Sequence, residues 1–269
     1  MRGGRVRALL FKELLEVARN GGALLPVGIM ALLSIVLPFT IAVIVPAMTG
    51  HPLSGDRDLV RVSLIAGAVE GYEALSADAR IQLFVFQQFL MVFLLIPITG
   101  AMSLAAHAII GEKQARTLEP LLATPITTAE LLVSKVLGAL APTLAISAAG
   151  LLIYFIAMAL FAEPGVMFAM MVPRTAVLIL CIGPAAALVS LQLAIVISSR
   201  VSDARTAQQF GVLIIIPLMA VLVAQFSGAL WLSAIGLGLI GLGLVGVWLL
   251  LTALSVALFE RETILTRWR

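Results

Sequence analysis

The chain has 269 residues, of which 62% are hydrophobic and only 12% charged, and its mean hydropathy is +1.16. Soluble domains of this length carry roughly 25% charged residues, about twice what is present here, so a water-soluble globule is excluded. The apolar stretches have helical lengths and lack short alternating segments, which excludes an outer-membrane barrel. The net charge of +3 reads as membrane topology, not as a nucleic-acid surface, because basic residues collect on the cytoplasmic side of membrane proteins.

In chain order, the first element is residues 5–19, RVRALLFKELLEVAR. At helical spacing Arg5, Lys12, Glu16 and Arg19 share one face, and Val6, Leu10, Leu14 and Val17 share the opposite one. This is expected to be an amphipathic helix in the cytoplasmic interface, either a plain anchor or a surface for a partner. Asn20, Gly21 and Gly22 stop and bend it. The charged start, followed by an apolar run of spanning length, is not the pattern of a cleaved signal peptide.

Apolar spans are expected at 23–48, 83–110, 131–161 and 175–198, followed by an uncharged run from Thr206 to Phe259. Two spans in that run, 206–225 and 229–259, put both termini on one side. That side then holds thirteen of the 17 Lys and Arg residues, and the other holds only Arg57, Arg61, Arg80 and Arg174. A seventh span would throw the basic tail to the poor side. The expected fold is therefore an all-α integral membrane protein with six transmembrane helices and both termini cytoplasmic. A polar outer loop, 49–82, is expected to carry a short helix near Val62–Val69, and Gln225–Gly228 an outer turn. The glycines between Gly236 and Gly246 are spaced two and three apart, so they do not form one small-residue dimer stripe.

The inventory of chemistry is thin. No phosphate-cradling GxxxxGK[ST], no HExxH and no GxSxG is present, so no catalytic set and no nucleotide site is expected in the chain itself. Cys181 is the single cysteine, and His51 and His107 are too far apart for a convincing metal site. Ser103 and His107 have helical spacing but no orienting carboxylate. No span carries an acidic residue at its middle. Only hydroxyls and Gln87, Gln88, Gln192, Gln208, Gln209 and Gln225 supply polarity there. Ion-driven carriers need buried ionisable groups, so energy for transport is expected to enter from the cytoplasmic side.

One interruption stands apart. Between the second and third spans lies GEKQARTLEPLLATPIT, Gly111–Thr127, with Glu112, Lys113, Arg116 and Glu119 and two prolines. Pro120 suits the first position of a short helix, Thr124-Pro125 ends it, and Thr127 with Glu130 forms a capping box that starts the next helix. The punctuation specifies a compact helix-break-helix on the cytoplasmic side.

This stretch resembles the signature of the ABC transporter type-2 permease family. Glu112, Lys113, Thr117, Leu118, Glu119, Leu121, Leu122, Thr124, Pro125, Glu130 and Lys135 match it, while Gln114 and Arg116 stand where glutamate and glycine are usual. The chain length, six expected spans, basic amphipathic start and short tail RETILTRWR are similar too. The resemblance implies a permease subunit of an ABC exporter in the plasma (inner) membrane of a bacterium or archaeon. It implies two ABC ATPase subunits as partners, which hold the ATP and Mg, and a second permease copy or a homologous permease subunit. Residues 111–130 would be the coupling segment. Glu112, Lys113, Arg116 and Glu119 would supply charged contacts, and Leu118, Leu121 and Leu122 an apolar anchor. The second inner loop, with Arg200, Asp203 and Arg205, would add a smaller contact. A non-transporting scaffold that anchors a cytoplasmic partner is the alternative; an intramembrane enzyme is disfavoured by the inventory.

Overall fold

The computed structural model describes residues 10–12, 14–15, 17, 21–64, 72–114, 128–201, 203, 206, 209–210, 212–227, 229–230 and 232–258. Among them every regular element is helical. Helix α1, Gly21–Phe39, runs through a wide π turn at Thr40–Ile44 into α2, Val45–Thr49. A short α3, Arg57–Ser63, lies in the connection that follows. Helices α4, Ala77–Val92, and α5, Leu95–Gln114, form one long rod broken at Phe93 and Leu94. Then come α6, Thr128–Phe161, and a short α7, Val166–Met170. Helix α8, Pro173–Val177, passes through a second π turn, Leu178–Ile182, into α9, Gly183–Arg200. The chain ends its described part with α10, Val212–Phe226, and α11, Ala234–Leu258.

Among the described residues, five segments are long and apolar enough to cross a membrane: Gly21–Thr49, Ala77–Gly111, Val133–Phe161, Pro173–Ser198 and Ala234–Ser255. The fifth expected span is a 15-residue helix, α10. Residues 207, 208 and 211 of that expected span, 206–225, lie outside the described residues. Of the expected amphipathic start, residues 10–12, 14, 15 and 17 are helical, and Val17 packs on a cluster around Ala23, Met102 and Ala194. The rest of that start and the tail from 259 to 269 lie outside the described residues.

The bundle is inverted with respect to a soluble protein. Its outer surface is a continuous apolar coat: α1 exposes Leu25, Ile29, Leu32 and Leu37, and α11 exposes Leu239, Leu242, Leu250 and Leu254. Water would not tolerate such patches, whereas lipid matches them. The α4–α5 rod sits at the centre, with Ile81, Leu83, Phe84, Phe86, Ile96, Leu104 and Ile109 all buried. It packs on α1, α6 and α9. The rings of Phe39, Phe86 and Phe93 surround Tyr154 of α6 at centroid distances between 4.9 and 5.8 Å, and the Tyr154 hydroxyl donates to the Phe86 carbonyl at 2.9 Å.

Prolines set the irregularities. Pro97 lacks the N–H that would reach the Phe93 carbonyl, and the Ile96 amide supplies that bond at 3.1 Å by tightening the turn. Pro46 likewise orphans the Ala42 carbonyl four residues earlier, beside the first π turn. The Gln82 side chain of α4 repairs this loss, with Nε2 donating to Ala42 O at 3.0 Å. Its Oε1 accepts from the Glu163 amide at 2.8 Å, so one buried amide ties three segments together. Replacing Gln82 with Leu removes both bonds and takes the donor from the carbonyl of buried Ala42, whereas exposed Glu163 can turn its amide to solvent. The lost buried bond costs roughly 1–3 kcal/mol, so the thermal midpoint of Gln82→Leu in detergent is expected to fall, and Gln82→Glu to recover only part of the loss.

Within the expected outer loop, 49–82, residues 77–82 are the first turns of α4. Ser76 caps it by accepting from the Ala79 amide at 3.1 Å, and Asp78 sits in its first turn, so the charges there mark a helix start. A short helix, Arg57–Ser63, lies in this loop and overlaps the start of the stretch expected to be helical, Val62–Val69, most of which (residues 65–71) lies outside the described residues. In the loop, Asp78 also accepts from the Ser54 amide at 2.7 Å, and Arg80 donates to the carbonyls of Glu73 and Leu75. In the glycine-rich stretch only Gly241 is a close approach: a Cβ there would lie 2.6 Å from Cys181 Sγ, whereas Gly238, Gly243 and Gly246 face open space.

Candidate functional site

The interruption expected to meet a cytoplasmic partner begins on the last turn of α5. Residues 111–114 are helical, and Gly111 and Gln114 are exposed. Glu112 and Lys113 are therefore on the backbone of that turn. Their side chains lie outside the described residues. So do Arg116, Thr117, Leu118, Glu119, Leu121, Leu122, Thr124 and Pro125, and the Thr127 of the expected capping box. The chain is helical again from Thr128.

Both ends of the segment are held in a packed frame. At Gly100 the rods α1, α5 and α6 come together: an added Cβ would stand 2.6 Å from Thr143 Cγ2 and 3.3 Å from Val27 Cγ1. The Thr143 hydroxyl donates along its own helix to Ala139 O at 2.6 Å, which fixes its rotamer at that contact. Nearer the segment, Lys135 of α6 is buried and its Nζ donates to the Ala108 carbonyl of α5 at 3.4 Å. A cation beside carbonyls near a helix C-terminus is favourable against the helix dipole. Ser103 Oγ donates to Ala23 O at 2.9 Å and ties α5 to the start of α1.

The end of α9 joins the same corner. Ile197 and Val201 pack on buried Ala106 and Ile110 of α5. Arg200 is the last residue of α9, its side chain outside the described residues. Val201 closes the helix with its amide on Ile197 O at 3.1 Å. Asp203 accepts from the amide and hydroxyl of Thr206 at 3.1 and 3.2 Å, so it serves the local turn. Arg205 lies outside the described residues. The residues that lead into the two segments are thus side by side at one end of the bundle, both seated on the buried α5. A densely packed rod passes a displacement along its length instead of absorbing it.

The other candidates resolve into structure. The His107 ring nitrogen Nδ1 lies 2.9 Å from the Ser103 carbonyl, while the Ser103 hydroxyl serves Ala23, so the two do not form a nucleophile–base pair. No group of three His, Cys, Asp or Glu residues that could hold a metal occurs among the described residues. Gln192 is interhelical glue: its Nε2 donates to Thr252 Oγ1 and its Oε1 accepts from the Ser255 hydroxyl, both at 3.0 Å. Sequence reasoning missed Gln82, Gly100 and Thr143. Pro46 announces an orphaned carbonyl, but nothing local says which distant donor meets it.

A family model described as "ABC-2 family transporter protein" matches residues 7–236. None of the curated proteins compared with the chain matches it.

Proposed function

The chain belongs to the ABC-2 family of transporter proteins, and from that premise we propose that it is the permease subunit of an ATP-driven exporter, coupled to ATPase subunits through residues 111–130. The family is a membrane transport component and not itself catalytic, and it works in association with an ABC ATPase subunit. The multi-pass character of the chain follows from its apolar helices. In the proposed topology the chain makes six passes, α10 completing the set, with both termini and the 111–130 segment cytoplasmic. The remaining proposals are location in a bacterial or archaeal inner membrane, assembly with two ATPase subunits and a second permease subunit, and outward movement of cargo. ATP and Mg stay on the ATPase chains.

The observation that supports this reading best is the corner where α5 ends, α6 begins and α9 ends. Lys135 bridges two of those rods and Ile197 and Val201 brace the third. A short helix continuous with two packed spans converts closure of a bound ATPase into tilting of α5 and α6. Leu118, Leu121 and Leu122 would bury against the partner, and Glu112, Lys113, Arg116 and Glu119 would set the register of docking.

Co-expression with an ABC ATPase chain tests the assignment. The expected result is a complex that survives purification in detergent, with ATP hydrolysis faster than that of the ATPase alone. An ATPase that never co-purifies and never changes its rate would favour the scaffold reading instead.

A further inference from the structure

Three rods are interrupted at one level of the bundle. The α4–α5 rod breaks at Phe93 and Leu94, where the Leu94 amide reaches back only to the Met91 carbonyl, at 3.1 Å. The α8–α9 rod widens into the π turn Leu178–Ile182, followed by Pro184. Helix α10 carries Pro217, whose ring nitrogen cannot donate to the Leu213 carbonyl. The first two interruptions touch: a Cβ on Gly183 would stand 3.8 Å from Leu94 Cδ2. All three border one cavity of about 180 Å³, whose wall includes Leu94, Ile98, Leu178, Ile182, Pro217 and, from α11, Leu237. The side chains around it are apolar, and atoms that line such a void have no packing partner on that side.

On either side of this level the helices are tied to one another. Toward the end that carries α3 and α7, the Phe226 ring of α10 packs edge-on against Phe84 and Phe89 of α4, at 5.8 and 6.3 Å. Arg174 of α8 donates from Nη2 to Gln225 Oε1 of α10 at 2.9 Å and from Nε to the Leu232 carbonyl at 3.0 Å. The pieces of all three interrupted rods at that end thus form one block. Toward the other end, Ala187, Leu191 and Ala194 of α9 share a buried cluster with Ala101 and Met102 of α5, and Gln192 bonds α9 to α11. These form a second block. Between the blocks the hydrogen-bond ladders are incomplete, so bending there breaks few bonds. Helix α6 alone is described as one uninterrupted helix across this level, Thr128–Phe161. A Cβ on its Gly150 would stand 3.4 Å from Phe93 Cε1, and it supplies no residue to the cavity wall among the described residues.

A joint needs one side that stays closed and another with room to close. Helix α6 is the first and the cavity is the second. We infer that the two blocks pivot against each other at the level of Leu94, Leu178–Ile182 and Pro217, with α6 as the fixed side and the cavity as the space taken up when they close. That this pivot is a step of transport rests on the permease reading above; that the joint bends does not.

The test uses the full chain in nanodiscs without any ATPase, so a negative result leaves the coupling of residues 111–130 untouched, and the reverse. In a Cys181→Ala background, spin labels at Ser227→Cys and Leu250→Cys, both exposed positions, read the distance across the joint. Labels at Leu137→Cys and Leu250→Cys, again exposed, read a distance within the α5–α9 side as control. The distribution across the joint is expected to be about twice as wide as the control or wider, because hinge displacement adds to label motion. Ala186→Leu, at a wall position, puts atoms into the cavity and should narrow the distribution to the control width. Leu218→Ala, also in the wall, enlarges the cavity and should widen it further. Monodisperse elution checks that the variants fold, and comparison of the two label pairs needs neither cavity variant. A void without a joint would let both variants move the thermal midpoint while leaving the widths alone. Equal widths for the two pairs, or a width across the joint that ignores both cavity variants, overturns the inference.

Discussion

Leu121→Asp is expected to lower the affinity of the permease for its ATPase subunit by roughly thirtyfold, with no loss of folded permease. The physical basis is the value of an apolar anchor at the centre of an interface, about 2 kcal/mol or more, which corresponds to that factor in binding. A carboxylate in its place carries the further cost of burying an unpaired charge. Glu119→Arg reverses one charge in a segment where Glu112 is acidic and Lys113 and Arg116 are basic. It is expected to act mainly on association rate and salt dependence, as rim charges do. The measurements are titration of the purified ATPase against permease in nanodiscs and the rate of ATP hydrolysis in the complex. Unchanged affinity and rate in both variants would remove residues 111–130 from the coupling role.

The second large effect is expected at Gly100. A leucine there must enter a space where even a methyl group would sit 2.6 Å from Thr143 Cγ2, 3.2 Å from its hydroxyl and 3.3 Å from Val27 Cγ1. Overpacking of this kind costs about 1–3 kcal/mol, and more where the backbone must yield. Here the obstructing atoms are short, branched side chains of two neighbouring rods that have little room to turn away, so Gly100→Leu is expected to give little folded protein in detergent. Gly100→Ala should be intermediate. Adding Thr143→Ala to it removes both close atoms and should restore most of the thermal midpoint. Failure of that rescue would mean that the α1–α5–α6 junction is looser than its geometry says.

The all-helical class and the apolar rods were legible because they depend on composition and run length alone. A bilayer demands such segments and leaves few alternatives. Boundaries were less legible where charge misled: Asp78 and Arg80 read as loop residues, yet they occupy the first turn of α4 behind the Ser76 cap. The sequence announces the prolines, but not how each is accommodated. Pro97 tightens a turn and Pro46 follows a π turn whose free carbonyl a distant glutamine meets. Such repairs depend on which helices become neighbours, a non-local fact. The same holds for Gln225, whose side chain meets Arg174 from a distant helix. The punctuation from Glu112 to Pro125 is an expectation from sequence, and residues 115–127 lie outside the described residues. The structure adds the frame that Lys135, Ile197 and Val201 build around it.

The most direct test of the coupling claim is a disulfide trap. In a Cys181→Ala background, Leu118→Cys is paired with single cysteines placed on the permease-facing surface of the ATPase subunit, and Asp56→Cys in the opposite loop serves as control. The account predicts that Leu118→Cys cross-links to the ATPase, that the cross-link stops ATP hydrolysis, and that dithiothreitol restores both the free chains and the activity. Cross-linking at position 56 with none at position 118 would contradict it, placing the engine on the other side of the membrane.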